Sequence, residues 1–276
     1  MLNAQLSAGV VEYADTGGDG PVLVFLTGAF VGATLWRHVV ADLRVDHRCV
    51  VLEVPLGAHR IPLRPDADVS SRGLAALVAE FLDELGLHEV TLVGCDWGGA
   101  QVVAAHHPER LARLVLLPQE SFDNFPPGVP GRLLYVSSKV PGATLIALQT
   151  LRVRGLRRAP VNFGQMSKRP VPDDIMDAWL APALGSADIR RDLLKYLRST
   201  RPGEYLQVAA KLGGFQRPGL VLWAPESRMM RRANGPRLAQ ALPRGRLVEV
   251  PDGFTLLPED QPQTCATEIR AFVAAS

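Results

Sequence analysis

The sequence predicts an α/β fold in which helices cover both faces of a mostly parallel sheet. In the first 117 residues, short apolar and β-branched runs alternate with longer helical patterns, and strand character returns after residue 217. Between these parts, about a hundred residues carry helical patterns only. We therefore predict one α/β core, residues 1–120 and 217–276, interrupted by a helical insertion, residues 121–216.

The predicted elements follow one another in that order. Strands are expected over 21–26, 48–54, 89–94 and 111–117, with helices over 34–43, 70–85 and 98–107. Ser70 is typical of a residue that caps a helix N-terminus. The insertion begins with a turn-rich run, 122–130, and continues with helical patterns to about residue 212. Strands over 219–223 and 246–250 and a helix over 264–275 complete the chain.

Composition excludes several classes of protein. Of 276 residues, 47% are hydrophobic and 21% charged, which argues against disorder and fibrous structure. No apolar run is long enough to span a membrane, and the N-terminus lacks the features of a signal peptide. The three cysteines are too scattered for a disulfide framework or a zinc site. The preference for arginine over lysine suggests a bacterial genome. We expect a cytoplasmic protein without metal, cofactor, nucleic-acid partner or membrane partner.

Charge is uneven along the chain. Residues 118–217 contain 15 basic and eight acidic side chains, whereas the whole chain has a net charge of +2. One interpretation is a solvated helical surface, and the other is a basic mouth that attracts anionic ligands. A local cluster of arginines lacks the interleaved aromatic residues that would indicate nucleic-acid binding. Its members are Arg152, Arg154, Arg157 and Arg158.

One tight turn carries the clearest chemical signal. Glycines at 94, 98 and 99 flank Cys95, Asp96 and Trp97, between a predicted strand and an alanine-rich helix. This is the strand–turn–helix pattern of a nucleophile elbow, in which glycines are needed because the turn is strained and crowded. The pattern exposes the middle side chain, Asp96, at the carboxyl edge of the sheet and above a helix N-terminus.

A carboxylate at this position can act as a nucleophile toward saturated carbon and form an ester. Two other interpretations remain open. Asp96 could serve only as an N-cap of the helix, since aspartate is favoured there. Cys95 could be the nucleophile, although its place in an elbow points toward the core.

The turn and the overall layout resemble the α/β-hydrolase fold with a helical cap, and specifically its haloalkane dehalogenase and epoxide hydrolase branch. The resemblance implies that Asp96 is the nucleophile and that Trp97 lines the substrate site. The segment 254–262 resembles the family region around the catalytic histidine, and 223–227 resembles the region that carries the acid.

The sequence departs from that family at three places. The usual His-Gly pair after the first central strand is replaced by Thr27 and Gly28, which are followed by Ala29 and Phe30. The usual acid position is occupied by Ser227. The usual catalytic histidine is replaced by Phe254, which cannot accept a proton from water. Without a base, hydrolysis of an ester on Asp96 slows by about 10²–10⁴-fold.

Another residue could replace the missing base. All six histidines precede residue 108, and only His59 follows a strand at the same edge as Asp96. We therefore predict His59 as the candidate base, against a role in loop packing. Candidate acids are Glu120, Asp123 and Glu226, each of which could instead be structural.

The predicted substrate is a small molecule of apolar or aromatic character, bound between core and insertion. We expect its pocket to be lined by Thr27, Gly28, Ala29, Phe30, Trp97 and Phe254. Three tyrosines of the insertion, Tyr135, Tyr196 and Tyr205, could donate protons or simply pack.

Three functions follow from these residues. The first is a hydrolase-type enzyme that acts on an epoxide or a related alkyl electrophile through Asp96. The second is a non-hydrolytic acid–base catalyst, such as a cyclase, lyase or isomerase of specialised metabolism. The third is a protein that binds a ligand without turnover.

Overall fold

The computed structural model describes all 276 residues. Eight strands form a single sheet in the order β1-β2-β4-β3-β5-β6-β7-β8. In chain order they are β1 (Leu2–Leu6), β2 (Gly9–Asp15), β3 (Val22–Leu26), β4 (Arg48–Leu52), β5 (Val90–Gly94), β6 (Leu111–Leu116), β7 (Gly219–Trp223) and β8 (Gly245–Glu249). All neighbours from β4 to β8 pair in parallel, whereas β1–β2 and β2–β4 are antiparallel.

The mostly parallel sheet confirms the predicted fold class. Strands β3 to β8 correspond to the predicted runs within a few residues. Strands β1 and β2 were not predicted, because they form an edge hairpin that lacks the continuous apolar run of a buried strand. That hairpin turns over two residues between Leu6 and Gly9.

Twelve helices surround the sheet. They are α1 (Arg37–Leu43), α2 (Ser71–Glu84), α3 (Ala100–His106), α4 (Gly128–Ser137), α5 (Ala143–Thr150), α6 (Arg154–Arg157), α7 (Asp173–Gly185), α8 (Ala187–Ser199), α9 (Glu204–Lys211), α10 (Asn234–Ala241), α11 (Leu257–Asp260) and α12 (Pro262–Ala274). None combines the length and the apolar character that crossing a membrane requires. The Ser70 hydroxyl accepts the Gly73 N–H at 3.0 Å and caps α2.

The central strands are apolar along their whole length because both of their faces are buried. All five residues of β5 are buried, and so are all five residues of β7. Their side chains belong to one continuous apolar core that also includes residues of the helices. This core fixes the carboxyl ends of β3, β5 and β6 beside one another, where the loops carry polar groups.

The helices α4 to α9 lie between β6 and β7 in the chain and pack on loops at the carboxyl edge of the sheet. Trp179 of α7 donates its indole N–H to Thr34 Oγ1 at 2.7 Å. Asp192 of α8 accepts the Leu63 N–H at 2.8 Å. These contacts attach the helical segment to the loops that follow β3 and β4.

Candidate active site

A cavity of about 270 Å³ lies where the segment between β6 and β7 meets the carboxyl edge of the sheet. On the sheet side it is lined by Ala29, Phe30, Asp96 and Trp97. Most of its lining is apolar, and Asp96 is the only ionisable residue that lines it. The remaining lining residues are Pro130, Gly131, Leu133, Leu134, Thr144, Ala147, Leu148, Thr150, Leu151, Val161, Asn162, Phe163, Met166 and Met229.

Asp96 occupies the tight turn between β5 and α3 with a positive φ of 53°. Residues with a β-carbon rarely adopt this conformation, and such strain is concentrated at functional sites. A β-carbon on Gly94 would overlap Cβ of Ala100 at the start of α3. Glycine at 94 therefore lets the strand and the helix approach closely enough to form the turn, which projects Asp96 into the cavity.

Two backbone N–H groups act on the Asp96 carboxyl group. They belong to Trp97 and Ala29, and they favour its ionised form. One N–H from the residue after the nucleophile and one from the loop after β3 form the usual oxyanion hole of such elbows. Oδ1 of Asp96 is buried without a hydrogen-bond partner. Burial raises the pKa of Asp96 to about 7, although the two N–H groups oppose the rise.

The two alternative interpretations of the turn do not agree with this geometry. Helix α3 has Gly99 at its N-cap, and no side chain caps it. The Cys95 thiol is buried and donates to the Thr255 carbonyl oxygen at 3.4 Å. Burial and the neighbouring Asp96 charge raise the pKa of Cys95 well above its usual value. The thiol is therefore protonated and lies in the core.

Glu120 is a second buried carboxyl group near Asp96, just after β6. Neither of its carboxyl oxygens has a hydrogen-bond partner of ordinary geometry. Burial and the charge of Asp96 raise the pKa of Glu120 well above its usual value, and the Tyr205 hydroxyl opposes that rise. Two carboxyl groups in one dry region cannot both ionise easily, so ionisation of Asp96 disfavours ionisation of Glu120.

Two tyrosines from the helical segment lie beside Glu120. The hydroxyl oxygens of Tyr196 and Tyr205 are hydrogen-bonded at 2.9 Å, and both side chains are buried. Burial, and then the charge of Glu120, raises the pKa of both phenols well above their usual value. Both phenols are therefore protonated and able to donate.

An aromatic cluster joins these groups to the cavity wall. The Trp97 ring lies 5.5 Å from Phe125 and 5.9 Å from Tyr196, between ring centroids. Phe125 in turn lies 5.8 Å from Tyr205 and 5.7 Å from Tyr135. None of the three predicted tyrosines lines the cavity itself, because they stand behind Trp97 and Phe125.

Sequence reasoning missed Phe125, Gln119 and Ser121. The side-chain nitrogen and oxygen of Gln119 and the Ser121 hydroxyl are buried without partners, as is the Thr27 hydroxyl. A signal was available in the polar run 119–121, which directly follows an apolar strand. Nothing in the sequence marks Phe125 as a site residue, because the run 122–130 around it is notable only for its turn-forming residues.

Two of the three candidate acids lie on the surface rather than in the buried region around Asp96. Asp123 is exposed and paired with Arg231 and Arg237 on the surface. Glu226 is exposed and accepts from Lys168 Nζ at 2.7 Å. The structure therefore brings only Glu120 near Asp96. No group of three or more His, Cys, Asp or Glu side chains is arranged to hold a metal ion.

The structure does not bring His59 to Asp96. Its side chain is buried outside the lining of the Asp96 cavity. Nδ1 accepts the Gly57 N–H at 3.3 Å, and Nε2 lies 3.3 Å from Asp192 Oδ2. Both ring nitrogens are thus engaged in a contact between the loop after β4 and helix α8, which leaves none for a water molecule beside Asp96.

Phe254 also lies outside the cavity lining that was predicted for it. Its backbone N–H donates to Asp260 Oδ2 at 2.8 Å, and its ring stacks 4.9 Å from the Arg228 guanidinium. Ser227 accepts the Met230 N–H at 3.1 Å and contacts the Thr255 hydroxyl. Phe254 and Ser227 stand where the family carries its histidine and its acid. Here Phe254 packs against an arginine, and Ser227 makes hydrogen bonds between neutral groups.

A strained elbow with a carboxyl group, two amide donors and a helical segment over the sheet edge defines a protein of the α/β-hydrolase class. A family model described as the alpha/beta hydrolase fold matches residues 21–262. The chain belongs to that family.

Its relatives include dehalogenases and an epoxide hydrolase. Haloalkane dehalogenase 2 of Mycobacterium tuberculosis is 25% identical over 95% of this chain and 91% of that protein. A haloalkane dehalogenase of Mesorhizobium japonicum is 27% identical over 62% of this chain, but the match covers only 56% of that protein. Epoxide hydrolase 4 of Mus musculus is 28% identical over 42% of this chain and 31% of that protein.

Solved structures agree on the fold. A loop variant of a haloalkane dehalogenase from Bradyrhizobium elkanii matches with a TM-score of 0.78 at 20% identity. The match covers 99% of this chain and 96% of that one. The chain is thus an α/β hydrolase related to haloalkane dehalogenases and, over part of its length, to an epoxide hydrolase.

Proposed function

We propose that this protein is a hydrolase-type enzyme that opens an epoxide, or displaces the leaving group of a related alkyl electrophile, with Asp96 as nucleophile. One observation carries the proposal: the Asp96 carboxyl faces an apolar cavity, with Oδ1 unpartnered and two backbone N–H groups behind it. The relatedness to dehalogenases and an epoxide hydrolase supports the same chemistry. An apolar lining suits a substrate of apolar or aromatic character.

In the first step, an oxygen of ionised Asp96 attacks the substrate carbon and forms an ester. The carbon–oxygen bond of the epoxide breaks, and its electron pair stays on the leaving oxygen. A protonated phenol can supply the proton to that oxygen, and Tyr196 and Tyr205 are the candidates. Their hydroxyls are protonated, and the Tyr196 ring packs 5.9 Å from the Trp97 ring. Neither tyrosine lines the cavity, so its proton reaches the leaving oxygen through a water molecule.

In the second step, water attacks the carbonyl carbon of the ester. The oxyanion that forms accepts hydrogen bonds from the N–H groups of Trp97 and Ala29. The bond between the carbonyl carbon and the ester oxygen then breaks, which releases the product alcohol and restores the Asp96 carboxyl. We assign the base of this step to Glu120, the buried carboxyl group that follows the neighbouring strand β6 and senses the charge of Asp96. Because Glu120 lies outside the cavity lining, it acts through a water molecule. Once Asp96 is esterified and neutral, the repulsion is gone, and Glu120 can ionise and accept the proton of water.

We further propose the division of the chain into a core, residues 1–120 and 217–276, and a cap, residues 121–216. The cap supplies most of the cavity wall and both of the candidate tyrosines. The protein has three free cysteines, all of them buried, which suits the reducing cytoplasm that we propose as its location.

A second candidate function has its own observation. With a pKa of about 7, Asp96 is well suited to transfer protons at neutral pH, and neutral Glu120 can donate one. These groups could catalyse a cyclisation, elimination or isomerisation without any ester. A third candidate, ligand binding without turnover, needs only the cavity.

Intact-mass measurement distinguishes the three candidate functions. The protein is incubated with panels of aryl epoxides and alkyl halides, beside Asp96→Asn and the matched surface control Asp123→Asn. In the unmodified protein and in Asp123→Asn we expect an added mass of one whole epoxide, or of an alkyl halide less the hydrogen halide that is lost. We expect no added mass in Asp96→Asn. A single turnover in ¹⁸O-labelled water should leave the label in Asp96 rather than in the product.

Product without added mass and without enzyme-bound label would support the acid–base function instead. A ligand that raises the melting temperature of both the unmodified protein and Asp96→Asn, with no product, would support binding alone.

A further inference from the structure

Helices α4 to α6 and the loops around them expose large apolar side chains. Of the twelve large hydrophobic residues that the whole chain exposes, eight lie between positions 129 and 161. Ile146 is 70% exposed and Val136 is 62% exposed. The eight residues are called the apolar patch: Val129, Leu133, Val136, Val140, Ile146, Val153, Leu156 and Val161. Such a concentration on one segment marks an interaction surface.

The patch is amphipathic rather than scattered. Val129, Leu133 and Val136 recur at helical spacing on α4 and therefore share one face. Arg132 lies within the same turns and is also exposed. One basic side chain thus lies among three exposed apolar ones on this helix.

The same part of the chain is strongly basic. Residues 124–172 contain eight lysines and arginines and not one aspartate or glutamate. Arg132, Lys139 and Arg152 form no ion pair with any carboxylate, although Lys139 lies over the Tyr135 ring at 4.4 Å. Beside the patch, a cavity of about 500 Å³ is lined by Arg154, Arg158, Arg169 and Asp173, among others. Arg154 pairs with Asp173 and Asp177, and Arg169 pairs with Asp252, so only Arg158 adds a cation without a carboxylate partner.

The Asp96 cavity opens within this surface. Four of its lining residues are exposed, and they mark the mouth: Leu133, Ala147, Thr150 and Val161. Leu133 and Val161 also belong to the apolar patch. A molecule that leaves or enters the cavity therefore passes the apolar and basic side chains.

We propose that the apolar patch and its unpaired cations form a docking surface for an anionic lipid membrane, with the mouth of the cavity facing the bilayer. Apolar side chains enter the boundary between headgroups and acyl chains, while lysine and arginine meet anionic headgroups. This proposal departs from the expectation of no membrane partner, which rested on the absence of a spanning segment. A protein that lies on a membrane needs no such segment. The docking surface does not depend on the chemistry of Asp96.

A second copy of the chain suits the patch less well. In a symmetric dimer the patch would face itself, since such interfaces use the same surface on both subunits. Two faces that each carry Arg132, Lys139 and Arg152 without carboxylate partners would repel one another. An anionic membrane supplies the complementary charge that a second copy lacks.

Vesicle co-sedimentation tests the proposal with the full chain. We expect binding to vesicles of phosphatidylcholine mixed with phosphatidylglycerol, and at least tenfold weaker binding to phosphatidylcholine alone. Arg132→Gln with Arg152→Gln should weaken binding by on the order of 25-fold, about fivefold for each cation. Val136→Gln with Ile146→Gln should abolish it. Salt at about 1 M, which shortens the Debye length to about 3 Å, should release the charge-dependent part.

The controls are Val45→Gln and Arg44→Gln, an exposed apolar residue and an exposed cation outside the patch. Both should bind as the unmodified protein does. Asp96→Asn should also bind, which separates failure of docking from failure of the proposed chemistry. Equal binding to both kinds of vesicle, or none to either, overturns the proposal. A dimer in sedimentation velocity that Val136→Gln with Ile146→Gln dissociates would assign the patch to a second copy instead.

Discussion

Asp96 and Glu120 are two buried carboxyl groups in the loops at the carboxyl ends of the neighbouring strands β5 and β6, and the charge of Asp96 disfavours ionisation of Glu120. Neither carboxyl is neutralised by an arginine or a lysine. Burial and two backbone amides control the ionisation of Asp96, and burial and the charge of Asp96 control that of Glu120. The predictions below use this coupling and the packing around it.

Removing the Asp96 charge should stabilise the protein at high pH. A carboxyl whose pKa is raised from 3.8 to about 7 in the folded state binds protons more tightly there than in the unfolded chain. Stability is therefore lost as pH rises from about 4 to about 7, by roughly 4 kcal/mol at most, at about 1.4 kcal/mol per pKa unit. We expect Asp96→Asn to unfold at higher denaturant concentration than the unmodified protein at pH 8, and with little difference at pH 4.5.

Guanidinium chloride titrations at the two pH values measure this effect. Asp123→Asn is the matched control, because that side chain is exposed and ion-paired. Equal destabilisation of Asp96→Asn at both pH values would contradict a raised pKa.

The rate of nucleophilic attack should rise with pH, whereas the stability of the folded protein falls. Nucleophilic attack requires ionised Asp96, so the rate of adduct formation should rise with pH and level off above about 7. Rapid quenching followed by intact mass measures that rate in a single turnover. A rate that is flat between pH 5 and pH 8 would remove Asp96 ionisation from the first step.

A methyl group at position 28 should displace the nucleophile. The β-carbon of Gly28→Ala would overlap Oδ2 and the carboxyl carbon of Asp96. We expect at least a 100-fold loss of adduct formation, since small misplacements of reacting groups have effects of that size. Gly213→Ala is the control, because nothing lies within 4 Å of a β-carbon there. Unchanged kinetics in Gly28→Ala would mean that Asp96 is not held as described.

The Tyr205 hydroxyl should affect adduct breakdown through its effect on the ionisation of Glu120. The Tyr205 hydroxyl favours ionised Glu120, so Tyr205→Phe should raise the pKa of that carboxyl further. If Glu120 is the base, adduct breakdown slows in Tyr205→Phe, and the pH at which breakdown becomes fast moves upward. Tyr13→Phe, whose ring packs on Phe81 away from the site, is the control. A pH profile of breakdown that is the same in both variants would argue against Glu120.

His59 should prove structural. In His59→Ala, buried Asp192 loses one of its partners and keeps the Leu63 N–H and Arg191. We expect a loss of roughly 1–3 kcal/mol in unfolding free energy with kcat unchanged. His38→Ala, at an exposed position of α1, should change neither. Accumulation of the adduct in His59→Ala would restore His59 as the base.

The sequence predicted what is determined locally. Alternating apolar runs predicted β3 to β8, because strands buried on both faces are apolar throughout. The spacing of Gly94 and Gly98 predicted the elbow, since the steric demands of a tight turn involve neighbouring residues only. The edge hairpin of β1 and β2 was not predicted, because its strands are partly exposed and carry no continuous apolar run.

Contacts between distant segments could not be predicted in the same way. The partner of His59 is Asp192, 133 positions further along the chain, and only the packing of α8 brings them together. Phe254 was expected in the pocket because the equivalent position of the family lies there. Its ring instead packs against the Arg228 guanidinium. Glu120 was one of three candidate acids, and burial alone distinguishes it from Asp123 and Glu226.

The buried cysteine next to the nucleophile gives the elbow a built-in reporter. The Cys95 thiol has no exposed surface and is held in protonated form, so a thiol reagent can reach it only when the turn opens. Its labelling rate therefore measures how often the strained turn leaves its native conformation. Occupancy of the cavity should slow that labelling, while the equally buried Cys49, beside the opposite end of the sheet, reports global opening of the core.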